Sequence, residues 1–185
     1  SGGNVIKSNF STTQIYDRNP GKCRREYETG SKARSFTSIN FPVIRYSDVL
    51  LMKAEAQNEV YKNPTSDAYC AINKVRRRAF NKPLDKADVL CDIAAGMDYT
   101  RFLAEIQDER ARELCFEGIR KHDLIRWDIY VKTMNDLGKS ITATAPSGYK
   151  YAAYAGNNTT DRDVLFPIPN VERTVNKLIE QNTGW

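Results

Sequence analysis

The stretch RYSDVLLMKAEAQNEVYKNPTSDAYCAINKVRRRA, residues 45–79, decides the architecture. Over its first half, Tyr46 to Tyr61, apolar residues recur at Val49, Met52, Ala56 and Val60, and Leu50, Leu51 and Ala54 widen the stripe. That is helical periodicity, and its breadth predicts a helix covered on two sides. Asn63 and Pro64 interrupt it, because proline donates no amide hydrogen bond and restricts the residue before it. A second helix then follows, with Ala68, Ala71, Ile72, Val75 and Ala79 on one face and Thr65 or Ser66 as its N-cap. The small alanine side chains let the two helices approach closely.

The hairpin spans 35 residues, close to the roughly 34-residue period of tetratricopeptide repeats. One copy is present, and repeat units bury their faces against neighbours. We therefore expect it to pack on repeats that precede it in a longer protein.

Working outward, residues 1–44 read as an irregular basic arm. Arg18, Lys22, Arg24, Arg25, Lys32 and Arg34 sit there among Gly, Ser, Thr and Asn, which is turn and loop chemistry. Residues 81–98 read as a loop with one short helix near 87–95. Two helices are expected across 99–138, one beginning after Thr100 as cap and running through Leu103, Ile106, Leu114 and Phe116 toward Gly118. The other carries Leu124, Ile125, Trp127, Val131, Met134 and Leu137 and ends near Gly138. Residues 139–164 read as a Tyr-rich loop or weak hairpin. In 165–185, Pro167 and Pro169 set an extended turn before a last helix over 171–180. The fold class is mainly α, one helical hairpin plus irregular loops and short extended segments.

With 41% hydrophobic and 28% charged residues, the composition is globular rather than disordered. No run reaches the roughly 18 apolar residues of a membrane helix, and residues 1–10 lack the basic start and apolar middle of a signal peptide. Of the net charge of +5, all comes from the first 45 residues, which hold eight Lys or Arg against three Asp or Glu. The other basic run, Arg76 to Arg78, fans around its helix at about 100° per residue, so it makes no phosphate-tracking stripe and no nucleic-acid partner is expected. Cys23, Cys70, Cys91 and Cys115 lack the short paired spacings of zinc sites, and His122 is the single histidine. Neither metal nor cofactor is expected. Cys70 and Cys115 are expected as core thiols, while spacing leaves open whether Cys23 and Cys91 pair.

The stretch ERARELCFEGIRKHDLIRW, residues 109–127, concentrates charge. Glu109, Glu113 and Glu117 are four residues apart and so share a helical face, the pattern that invites a catalytic carboxylate pair. Arg110, Arg112, Arg120 and Arg126 lie within one or two turns. Neighbouring cations favour ionised carboxylates, which suits ion pairing and spoils a general acid. We expect a partly buried network in which Glu113 and Glu117 pair with arginines including Arg120 or Arg126. The chain shows no Walker-type phosphate loop, Rossmann glycine fingerprint, nucleophile elbow or zinc-protease helix.

Three blocks in order make the chain similar to one family. FPVIRYSDVLLMKAEAQNE (residues 41–59), continued by AINKVRRRAF, then ERARELCFEGIRKHDLIRW, then LFPIPNVERTVNKLIEQNTGW (residues 165–185) resemble the SusD/RagB proteins. Thr183 departs from the proline that family commonly carries before its final glycine and aromatic. The resemblance implies the C-terminal portion of a non-catalytic nutrient-binding lipoprotein of the starch-utilization-system kind. It implies an outer-membrane location on the extracellular face, with anchoring through a lipidated N-terminal cysteine absent from this chain. It implies capture of polysaccharide or oligosaccharide for delivery to a SusC-like TonB-dependent transporter. An N-terminal helical-repeat part of the same protein is a further implied partner. Glu113, Glu117, Arg120, Asp123, Arg126 and Trp127 then read as a structural network. Glycan binding by such proteins rests on aromatic faces and hydrogen-bonding side chains, and Tyr149, Tyr151, Tyr154, Asn157 and Asn158 are the candidate ligand contacts. A helical scaffold for protein partners and a peptide-binding RagB-like receptor remain as alternatives.

Overall fold

A computed structural model describes Tyr16, Gly21, Lys22, Arg24, residues 27–30 and residues 35–185. Arg18, Arg25, Lys32, Arg34 and Cys23, named above, lie outside the described residues. Among those described, the structure is α-helical with short 3-10 segments and no strand. It divides into two compact units, one over residues 22–120 and one over residues 121–185 with the described residues before Lys22.

The first unit is a hairpin of α1 (Tyr46–Tyr61) and α2 (Ser66–Ala79), closed by α3 (Tyr99–Glu113). Thr65 caps α2, its hydroxyl accepting from the Ala68 amide at 3.1 Å. The core is one cluster in which Ala54, Ala68 and Ala71 let the helices close on Leu51, Ile72, Phe102 and Ile106. Phe102 meets Tyr69 edge-on at 4.8 Å between centroids. Burying such aromatic and branched side chains contributes about 1.5–3 kcal/mol each.

Residues 87–95 differ from expectation: they form turns, not a short helix. The segment makes a single turn on its own backbone, the Asp92 amide donating to the Asp88 carbonyl at 2.9 Å, and side chains of α2 hold the linker on either side of it. Asn73 accepts from the Ile93 amide at 3.0 Å, Tyr69 from the Met97 amide at 2.9 Å, and Arg77 donates to the Leu84 carbonyl at 2.9 Å. The expected cap at Thr100 is also displaced. Asp98 is the N-cap of α3, its carboxylate accepting from the Arg101 amide at 2.8 Å. At the other end α3 stops at Glu113, and Phe116, with φ of 62°, turns out of the helix with its ring exposed. Cys70 is exposed and Cys115 only partly buried, so among the described cysteines the core thiol is Cys91. These three described cysteines are free.

In the second unit the single helix expected through Trp127 is two: α4 (Arg120–Arg126) and α5 (Tyr130–Thr144). The break is a Schellman-type closure. Asp128 takes a left-handed φ of 56°, and the Ile129 amide reaches back to the Leu124 carbonyl at 3.0 Å. Trp127 therefore leaves the helix and is only partly buried. Nor does α5 end at Gly138. There the missing side chain admits another helix, since a Cβ would stand 2.5 Å from Asn157 Oδ1 and 2.6 Å from its backbone nitrogen. Gly156 answers it, with a Cβ position 2.4 Å from the Met134 carbonyl oxygen. Residues 147–157, expected as loop, are a 3-10 turn (Ser147–Ala152) running into α6 (Ala153–Asn157), which makes that crossing.

The last helix, α7 (Asn170–Val175), is shorter than the expected 171–180 because the tail folds back instead. Gln181 bonds the Ile168 amide at 2.8 Å and its carbonyl at 3.0 Å. The Trp185 indole donates to the Arg162 and Leu165 carbonyls, both at 3.1 Å. The Arg162 guanidinium lies 4.5 Å from the Trp185 ring centre.

Candidate functional site

Pro146 ends α5 and starts the tight turn that sets out the tyrosines. In a 3-10 turn, residues three apart nearly eclipse, so Tyr151 and Tyr154, at the start of α6, share an outward side. They are 67% and 71% exposed. Tyr149 is differently placed: its ring stacks on Tyr16 at 5.4 Å between centroids and 18° between planes. The Asn157 amide donates to the Thr142 hydroxyl at 3.1 Å, and the Asn158 amide to the Tyr154 carbonyl at 2.8 Å. Of the five candidate contacts, two present free aromatic faces, one is stacked, and two hold α6 in place.

Sequence reading missed a polar cleft of about 460 Å³ in the same unit. Asp128, Asn135, Asp136 and Lys139 line it from the break and from α5, and Asp161 from the 3-10 segment Asp161–Val164. Asn135 ties the two sides, donating to the Val131 carbonyl at 2.9 Å and the Thr159 carbonyl at 2.8 Å. Such a mix of carboxylate, amide and ammonium groups matches the hydroxyl-rich surface of a polar ligand. No local motif announces it, because the cleft exists only where Asp128 breaks the helix.

The charged block lies at the end of α3. Glu113 pairs with Arg45 at 2.6 Å and with Arg78, and Glu117 pairs with Arg45 at 2.9 Å and with Lys22. Arg45 also donates to the Glu113 carbonyl at 2.8 Å, so one guanidinium joins the entry of α1 to the exit of α3. Burial pushes the Glu113 carboxyl up, but Arg78 and Arg45 outweigh it and hold the group below its ordinary value of 4.5. Burial likewise opposes Arg45 and Lys22 at Glu117, which also ends below 4.5. Both acids are thus ionised, the state that accepts hydrogen bonds and cannot donate a proton. Glu109 pairs with Arg76 at 2.9 Å and Arg112 at 3.1 Å, and Arg110 with Asp48 at 2.8 Å in the interior.

The partners of this block come from far along the chain. Arg45 and Arg78 are not among the arginines expected to hold these acids, and Arg120 donates to the Gln107 carbonyl at 3.0 Å. Arg126 pairs with Asp123 at 3.0 Å and covers the Trp127 ring at 4.4 Å. His122 is exposed.

A model of the SusD family matches residues 4–185. SusD-like protein P25 of Formosa agariphila is 36% identical over 143 residues, covering 77% of this chain and 23% of its own length. SusD-like protein P2 of the same organism is 30% identical over 155 residues, covering 80% and 26%. Among solved structures, a SusD homolog from Bacteroides thetaiotaomicron superposes with a TM-score of 0.77 and 37% identity, over 86% of this chain and 30% of that one. A SusD superfamily protein from Parabacteroides distasonis gives a TM-score of 0.55 at 30% identity, over 79% and 27%. The chain thus spans about a quarter of the length of the curated relatives it matches.

Proposed function

The chain belongs to the SusD family, and from that premise we propose that it takes part in non-catalytic capture of extracellular glycans. The setting is the outer face of the outer membrane, for delivery to a SusC-like TonB-dependent transporter. The observation that carries the ligand reading is the exposed pair Tyr151 and Tyr154 on a turn held by Asn157 and Asn158. An aromatic face stacks on the apolar face of a sugar ring, and the polar cleft of the same unit offers partners for hydroxyls. Tyr149 contributes by fixing the turn through its stack on Tyr16.

The non-catalytic reading rests on Glu113 and Glu117, both held ionised by cations, so neither supplies the protonated carboxyl of a glycosidase. Lipid anchoring and preceding helical repeats packed on α1 complete the proposal; of Val49, Leu50 and Leu51, the residues expected to meet them, Val49 is exposed, whereas Leu51 is taken up by the unit's own core.

Titrating the chain with a panel of soluble oligosaccharides, followed by calorimetry, tests it. Binding that weakens in Tyr151→Ala and Tyr154→Ala, with helical content unchanged, is the expected result. Peptides bound in place of glycans, and lost in Tyr151→Ala and Tyr154→Ala, would shift the reading to a RagB-like peptide receptor. Hydrolysis lost in Glu113→Gln with the fold intact would overturn the non-catalytic assignment.

A further inference from the structure

The first unit carries a second concave site, separate from the tyrosine turn. It is an apolar cleft of about 300 Å³ between the start of α1, the end of α2 and the loop at Leu84. Val75, 2% exposed, and the partly buried Leu50 face it, with the more exposed Tyr46 and Leu84 beside them. Its charged lining is Arg45, Lys74 and Arg78, with no carboxylate.

The basic side chains of this part of α2 are not equivalent. Arg76 pairs with Glu109, Arg77 with Asp92 and Arg78 with Glu113. Lys74, partly buried, has no ion pair or hydrogen bond from its side chain among the described residues. An ammonium on the rim of an apolar wall, without a counter-charge of its own, attracts a carboxylate brought to it. Just before the lining residues Arg45 and Tyr46 in sequence, Phe41, Val43 and Ile44 are 63%, 81% and 67% exposed. Exposed apolar side chains grouped in this way mark interaction surfaces.

We propose that this cleft is a socket for a protein segment that inserts one apolar side chain and flanks it with acidic residues. The volume suits a single leucine or phenylalanine anchor, which is how interfaces concentrate binding energy. The flanking carboxylate meets Lys74, the one cation of the lining that has no partner among the described residues. Arg45 and Arg78 are taken up by Glu113 and Glu117, so the selection against basic segments rests on Lys74 and on the lack of any carboxylate in the lining.

The probe is a fluorescein-labelled, acetylated peptide with a Leu-Phe centre between Glu and Asp residues, titrated with the whole chain by anisotropy. Saturable binding is expected. It should weaken by about ten-fold or more in Lys74→Glu, weaken in Tyr46→Ser, survive in Lys74→Arg, and fall as salt rises. Circular dichroism of each variant separates lost binding from lost folding, and Lys177→Glu, in the other unit, should bind as wild type. Equal binding of a lysine-flanked peptide, indifference to Lys74→Glu, or no binding at all would overturn the proposal. So would a concentration-dependent dimer in light scattering that Lys74→Glu abolishes, which would make a second copy of this chain the occupant.

Discussion

The two units are held by different means. Residues 22–120 carry the cluster of buried branched and aromatic side chains, Leu51, Ile72, Phe102 and Ile106 among them. In residues 121–185 the largest buried hydrophobic side chain is Leu124, followed by Ala145 and Ala153. There the structure rests on a close glycine crossing and on side chains bonded to backbone, from Asn135, Gln181, Asn182 and Trp185. A hydrophobic core tolerates surface change and punishes cavities, whereas a crossing held by backbone proximity punishes a single added methyl.

The comparison is broken most severely at Phe102, fully buried at the centre of the first unit. Phe102→Ala should cost about 3–5 kcal/mol through lost burial and the cavity left behind. Urea denaturation followed by far-ultraviolet dichroism would measure it. A shift below about 1 kcal/mol would mean that this cluster does not carry the unit.

Next comes the charged clamp. Arg45→Ala strips both Glu113 and Glu117 of a partner, at on the order of 3 kcal/mol for largely buried acids. Both acids have folded values below the ordinary 4.5, so their contribution is full above pH 4.5 and is lost as pH falls through the lowered values. The stability gap between wild type and Arg45→Ala should therefore narrow as pH drops from 6 toward 3. A gap constant over that range would assign the loss to packing of the arginine stem.

In the second unit, Gly138→Ala should push α5 off α6 at about 1–3 kcal/mol, the usual range for overpacking. The added Cβ meets backbone as well as the Asn157 side chain, so little can yield. Hydrogen exchange should rise in residues 130–160 and stay as it was in residues 46–113; acceleration in both would show that the units share one cooperative transition. The smallest effect is at a cap. Asp98→Ala removes the acceptor for the Arg101 amide and should cost about 1 kcal/mol, read as earlier fraying of α3.

Much of the first unit was legible in sequence. The bounds of α1, the alanine face of α2 and its cap at Thr65 or Ser66 follow from local rules of helical period, proline and capping, and the structure selects Thr65. The ionised state of the acids was legible as well, since a dense mixture of arginine and glutamate favours it wherever the partners are found. Local rules failed where a distant group satisfied the backbone. The linker after α2 is tied at Leu84, Ile93 and Met97 by Arg77, Asn73 and Tyr69, and the helix through Trp127 breaks because Asp128 accepts a left-handed conformation. Gly138 reads as a terminator in one dimension and is a contact surface in three.

The sequence by itself determined that this chain is helical, that residues 45–79 form a hairpin, and which family it joins, because periodicity, caps and ordered motif blocks are properties of neighbours along the chain. Only the tertiary structure decided which cations hold Glu113 and Glu117, which tyrosines stand free, and that a cleft lies beside Lys74. Those outcomes join residues such as Arg45 and Glu117, or Tyr46 and Leu84, whose separation in sequence carries no record of their distance in space.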